Sequence, residues 1–228
     1  MVQSYKEYFS SVKLKGNLYS VLVWRFLLLM ILFSACRILF FFFNKDFFPN
    51  TSFSGLTTIL WGGLQFDTTA ILYTNILYFF LFLIPFTFRY NTVYQSILKY
   101  IFVITNSLAI GANCADIVYF QFTMRRTTAS VFKEFKNEEN FGSLIPKFIT
   151  DYWYIFLIWI LLTVILVLLY RKVEKPSIQK GFKNRAVYFV NGLAIMLIFL
   201  TLIVGGLRGG FRHSTRPITL SNAGQYVK

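Results

Sequence analysis

The sequence predicts an all-α membrane protein that crosses a bilayer five times, and three observations carry that reading. Hydrophobic residues make up 56% of the 228 residues while charged residues make up only 14%, more apolar surface than a soluble domain of this size can hide. The mean hydropathy is +0.58. The apolar residues also gather in five stretches long enough to span about 30 Å of hydrocarbon, where only helices and closed barrels satisfy their backbone. A barrel would alternate in polarity over segments of roughly ten residues. The run WYIFLIWILLTVILVLLY from Trp153 to Tyr170 is instead apolar on every face, so the spans are helical.

In chain order, the predicted spans are Ser20 to Phe43, Thr68 to Phe88, Leu98 to Phe120, Tyr152 to Tyr170 and Ala186 to Leu207. This divides the chain into a five-helix transmembrane domain over residues 1–207 and an extracytoplasmic tether over 208–228. Lys and Arg in short loops set the orientation. The loop RKVEKPSIQKGFKNR after span four holds six basic residues against the single acid Glu174, so it is expected in the cytoplasm. The amino terminus then shares that side and the carboxyl terminus lies outside, in a multi-pass membrane protein. The loop between spans three and four is expected to carry short interfacial helices, one gathering Val131, Phe132 and Phe135 and another Leu144, Ile145, Phe148 and Ile149. Trp153, flanked by Tyr152 and Tyr154, marks the head-group level where span four begins.

A formal charge of +14 would suit nucleic acid in a soluble protein. Here the basic residues sit in loops between spans, where they set topology and meet anionic phospholipid, and no nucleic-acid module accompanies them. Membrane lipids are therefore the expected partners. Cys36 and Cys114 lie within spans without metal-ligand spacing and read as small packing residues. His213, the one histidine, falls in the tail and reads as solvated. No phosphate-binding loop, zinc helix or nucleophile elbow occurs, so the chain itself offers no catalytic, cofactor-binding or metal-ligating residue.

Polar groups inside spans are costly and become the candidate site. They are Arg37, Asp67, Asn75, Asn106, Asn113 and Asp116, joined by Arg125 and Arg126 from the adjoining loop, and the topology gathers them toward the outer side. At about 100° per residue Asn106, Asn113 and Asp116 share one helical face. Two readings stay open. In one, Arg37 pairs with Asp67 or Asp116 and the asparagines hydrogen-bond between helices. In the other, Arg37, Arg125 and Arg126 bind an anionic lipid head group.

GGLQFDTTAILYTN (Gly62 to Asn75), NCADIVYFQFTMRRTTASVF (Asn113 to Phe132) and RGGFRHSTRPITLSNAGQYV (Arg208 to Val227) together resemble the membrane portion of lipoteichoic-acid-synthase-like proteins, more narrowly the sulfatase-superfamily members of that group found in Bacteroidetes. Gln65 stands where the family's GLRFD-like pattern has a basic residue. The resemblance implies a membrane anchor, in a bacterial cytoplasmic membrane, for an extracytoplasmic domain of the alkaline phosphatase and sulfatase type. That domain, absent from these residues, would carry a hydroxyl nucleophile and a divalent metal of the manganese or magnesium kind. It would transfer phosphoglycerol or phosphoethanolamine, or hydrolyse a related ester. The alternative from another class is a stand-alone lipid-binding or transport protein that uses the outer polar cluster, although no internal repeat joins the two halves of the sequence.

Overall fold

The computed structural model describes residues 17–49, 53–127, 149–172 and 185–208, and every regular element among them is helical. The six α-helices are α1 (Leu18–Phe43), α2 (Phe53–Thr74), α3 (Ile76–Leu83), α4 (Thr92–Thr123), α5 (Trp153–Arg171) and α6 (Arg185–Arg208). Short 3-10 turns, Lys45–Phe47 and Thr87–Tyr90, follow α1 and α3. Of the expected interfacial helices all but Ile149 lies outside the described residues, as do the basic loop over 173–184 and the tail with His213.

Four of these helices, α1, α4, α5 and α6, are long and apolar enough to cross a membrane. A fifth crossing exists if α2 and α3, bent by 64° at their junction, count as one broken span. Side chains facing outward confirm what solvent the bundle suits. Leu27, Ile31, Phe42, Leu108, Ile160 and Leu161 are all roughly half exposed or more. In water such a coat would be an aggregation surface, whereas in lipid it is solvated.

Local chemistry sets the helix ends. The Asn17 side chain accepts the Ser20 amide at 2.8 Å and opens α1, and Asn91 accepts the Val93 amide at 2.8 Å and opens α4. α1 stops at Asn44, whose fully buried amide donates to the carbonyls of Phe40 (3.0 Å) and Ile117 (3.1 Å), tying the end of α1 to α4. α4 stops at Met124, the one non-glycine residue with positive φ (53°) among the described residues.

α4 is the central post, packed on α1 and α5 and touching α2 and α3. Its inward face carries Leu98, Phe102, Ile110 and Ile117, all essentially inaccessible, against Leu29 and Leu32 of α1, Phe82 of α3 and Leu166 of α5. α6 packs chiefly on α2. At the Asn44 end, Phe40, Phe47 and Phe48 surround the Phe120 ring with centroids 5.0–5.8 Å away, and Phe43 stacks on Tyr154 at 5.7 Å. Such an aromatic collar is expected at a head-group boundary. The opposite end is marked by Arg89.

The second expected span needs correcting. Its helix begins at Phe53, not Thr68, and breaks at Asn75 before α3 ends at Leu83. Ser54, Gly55, Thr57, Thr58, Gly62, Gly63 and Gln65 dilute the hydropathy of the first half and conceal it. Asp67 therefore lies inside α2, and Asn75 lies at its junction with α3.

Candidate functional site

Arg37 comes from the last two turns of α1 and Asp67 from the middle of α2. The Arg37 guanidinium donates through Nη2 to Asp67 Oδ1 at 2.5 Å and to the Gly63 carbonyl at 3.2 Å. The side chains are 21% and 10% exposed, so the pair is largely out of solvent. Gly63 is what lets the guanidinium lie against α2, since a Cβ there would collide with its Nε and Cζ. Two buried atoms of this pair, Arg37 Nε and Asp67 Oδ2, have no hydrogen-bond partner. Gly63→Ala is expected to displace Arg37 and cost about 1–3 kcal/mol, the range for overpacking. Thermal unfolding in detergent measures it, and wild-type stability would mean the arginine swings aside freely.

The second ion pair depends on the left-handed turn at Met124, which folds the chain back along α4. Arg126 Nε then donates to Asp116 Oδ2 at 2.7 Å, and its Nη2 donates to Asn113 Oδ1 at 3.0 Å. The Thr127 amide donates to Asp116 Oδ1 at 2.7 Å. The Arg126 guanidinium lies 5.6 Å from the Phe40 ring centroid. Asp116 is thus bonded at both oxygens and staples the end of α4. Arg126 is 49% exposed, which places this pair in the weak, screened class and the Arg37 pair in the strong one. Asp67 lies within electrostatic reach of Arg126 as well, so the four charges belong to one end of the bundle. Arg125 is exposed, and its backbone carbonyl and amide meet the Thr123 hydroxyl.

Asn75 and Asn106 stand apart. Their amides exchange hydrogen bonds of 2.9 and 2.7 Å, and both residues are completely buried. Asn106 precedes Asp116 by ten residues, about 15 Å along α4. The expected gathering of all these groups at one level is therefore corrected. Two ion-pair networks occupy the Asn44 end, and an amide pair links the α2–α3 break to α4 nearer the middle of the bundle.

Two further arginines outside the candidate cluster are also buried. Arg25, in the run VLVWRFLLL, is 2% exposed and donates to the Tyr78 hydroxyl at 2.5 Å. Its guanidinium carbon lies 4.1 Å from the Tyr170 centroid and 5.0 Å from that of Phe82. Arg89 is 3% exposed and lies over Tyr90 and Tyr188 at 5.0 and 5.2 Å. An ionisable residue inside a span was itself the available signal for Arg25. For Arg89, the signal was a cation in a short apolar connection flanked by aromatics. Cys36 and Cys114, expected as small packing residues, are free thiols in α1 and α4, each 1% exposed.

Chemically, these groups can pair charges and present donors to an anion. Among the described residues no set of three His, Cys, Asp or Glu side chains could hold a metal ion. No protein-family model, curated protein or solved structure matches the chain.

Proposed function

We propose that the chain is the membrane domain of a lipoteichoic-acid-synthase-like enzyme, crossing the bilayer five times with α2 and α3 forming one broken span. In this reading it holds an extracytoplasmic transferase or hydrolase domain at the membrane surface and presents lipid to it. The observation that carries the reading is the position of the α6 exit. The last turns of α6 pack on α2, where the Thr69 hydroxyl donates to the Gly206 carbonyl at 3.3 Å, two residues from Asp67. Arg208 thus ends α6 on the helix that carries Asp67. The basic loop after α5 belongs in the cytoplasm by its Lys and Arg content, which makes the Asn44 end the outer one. A domain joined there stands over the exposed Arg125 and Arg126, and tethering raises its effective concentration toward lipid in the same plane.

Alkaline phosphatase fused after Lys228 should be active, and the same enzyme inserted into the 173–184 loop inactive, with fluorescent-protein fusions giving the converse. A fluorescent fusion after Lys228 would overturn the orientation. For the enzyme assignment, an immunoblot of the native product should reveal a protein several times heavier than a span bundle, carrying a carboxylate-rich metal site and a hydroxyl nucleophile.

A further inference from the structure

Two cavities that share Thr68 run end to end along the lipid-facing side of α2. α1 and α6 each pack on that helix. Gly206 brings α6 close, since a Cβ there would collide with Leu72 Cδ1, and the Arg37 ion pair brings α1 in from the other side. Between α1 and α6 lies a groove of about 310 Å³. Its floor is Leu22, Leu72, Phe79 and Ile203, none more than 8% exposed, and its rims are Val23 of α1 and Leu202 of α6, about half exposed. Phe199, also in the wall, stacks on Tyr19 at 5.7 Å and so bridges α6 to the first turn of α1. At the other end, Thr68 also lines the second cavity, of about 280 Å³, with Trp61, Leu64 and Gln65.

The lining and the dimensions restrict what can lie there. In the larger groove the one hydroxyl among the described lining residues, Thr68 Oγ1, is already engaged by the Leu64 carbonyl at 2.8 Å and Met30 Sδ at 3.7 Å. The rest of that wall is hydrocarbon and aromatic ring, so the guest is apolar. A helix, about 10–12 Å across with its side chains, is too thick to enter a groove of this volume. A single hydrocarbon chain is thin enough, and the length suits one. Phe199 to Gly206 covers about 10 Å along α6 and Thr68 to Trp61 about 10 Å more along α2, against roughly 15 Å of hydrocarbon in one leaflet. Trp61, 75% exposed, ends the path with an indole, a ring that favours the wet boundary of a bilayer.

We infer that this furrow holds one acyl chain of a bilayer phospholipid, its terminal methyl toward the Tyr19–Phe199 stack and its ester end toward Trp61. Lipid tails are as apolar as leucine, so the preference over bulk bilayer comes from close packing in a preformed groove and not from removal from water. The inference rests on the anchor reading for the leaflet that supplies the chain, the outer one, and is independent of it for the binding itself.

The test uses the full chain, delipidated in neutral detergent and titrated with palmitoyl-oleoyl phosphatidylcholine or the matching phosphatidylglycerol, while native mass spectrometry counts the lipids that stay bound. One lipid per chain should survive collision energies that strip the rest, and both head groups should serve. Dihexanoyl phosphatidylcholine, too short to reach the Tyr19–Phe199 stack, should not be retained. Leu202→Trp and Val23→Trp fill the groove from its exposed rims, and each should raise the apparent Kd about tenfold. Val164→Trp, at a similarly exposed position on α5, should bind as wild type. Thermal unfolding shows whether each variant is folded; should one rim variant fail, the other and the chain-length dependence decide. No retained palmitoyl lipid, or retention unchanged in both rim variants, overturns the site. Retention of phosphatidylglycerol alone also overturns it, by moving recognition from the chain to the head group. A dimer that dissociates in both rim variants overturns it in favour of a contact between two copies. All of these results leave the anchor reading intact, because that reading is tested by the orientation and the native mass.

Discussion

Replacing Asp67 by alanine is expected to destabilise the bundle by about 3–5 kcal/mol, the cost of stranding one partner of a buried ion pair. Arg37 would keep only the Gly63 carbonyl at 3.2 Å, and at 21% side-chain exposure it cannot reach solvent without leaving the α1–α2 contact. Hydrogen bonds between helices in lipid average only about 0.6 kcal/mol, so a loss of that size would show that the carboxylate acts as one more polar contact. The double variant Asp67→Ala with Arg37→Leu should recover most of the loss, because it removes the stranded charge along with its partner. Unfolding by denaturing detergent, read from helix content, gives all three stabilities. If Asp67→Ala costs less than about 1 kcal/mol, the pair behaves as an exposed one and the α1–α2 contact does not depend on it. Arg126→Ala should fall in that weaker range, since half of its side chain is in solvent.

The difference between these two pairs also marks where the sequence stops being legible. Length and hydropathy suffice to find α1, α4, α5 and α6, because each is a long apolar run ended by asparagines, a basic residue or polar loops. Arg37 and Asp67 could be nominated as partners since both are ionisable groups within apolar surroundings. Which acid Arg37 takes could not be read, because that depends on α2 extending back to Phe53 and on Gly63 admitting the guanidinium. The bond between Arg126 and Asp116 requires a reversal at Met124, a residue with no intrinsic preference for positive φ. The burial of Arg89 and Arg25 is hidden in the sequence for a related reason. Arg25 meets rings from α3 and α5 and Arg89 meets rings from its own turn and α6, and aromatic residues are so common here, at 20%, that none signals a cation site by itself.

Replacing Asn75 by leucine is expected to straighten the bend between α2 and α3. No proline or glycine stands at the 64° bend, so its cause must be side chains competing for backbone carbonyls. The Ile71 carbonyl receives the Asn75 amide nitrogen of the backbone at 3.0 Å, the Asn75 side chain at 3.0 Å and the Thr74 hydroxyl at 3.2 Å. The Thr74 hydroxyl also donates to the Ala70 carbonyl at 2.9 Å. Crowding of this kind tilts the carbonyls away from the helix axis and opens the ladder. Spin labels at the exposed positions Thr58 and Phe80 should then move apart by roughly 4 Å, as 22 residues at a 1.5 Å rise approach a straight course. The stability change should be small by comparison, about 1 kcal/mol for two interhelical amide bonds at the typical membrane value. Asn106→Leu separates the two explanations of the bend. It removes the exchange of 2.7 and 2.9 Å bonds with Asn75 but leaves the local competition at Ile71 in place, so the label distance should stay at its wild-type value. Straightening in Asn106→Leu equal to that in Asn75→Leu would mean that α4 holds the break open from across the bundle, and that the local crowding at Ile71 follows from the bend instead of producing it.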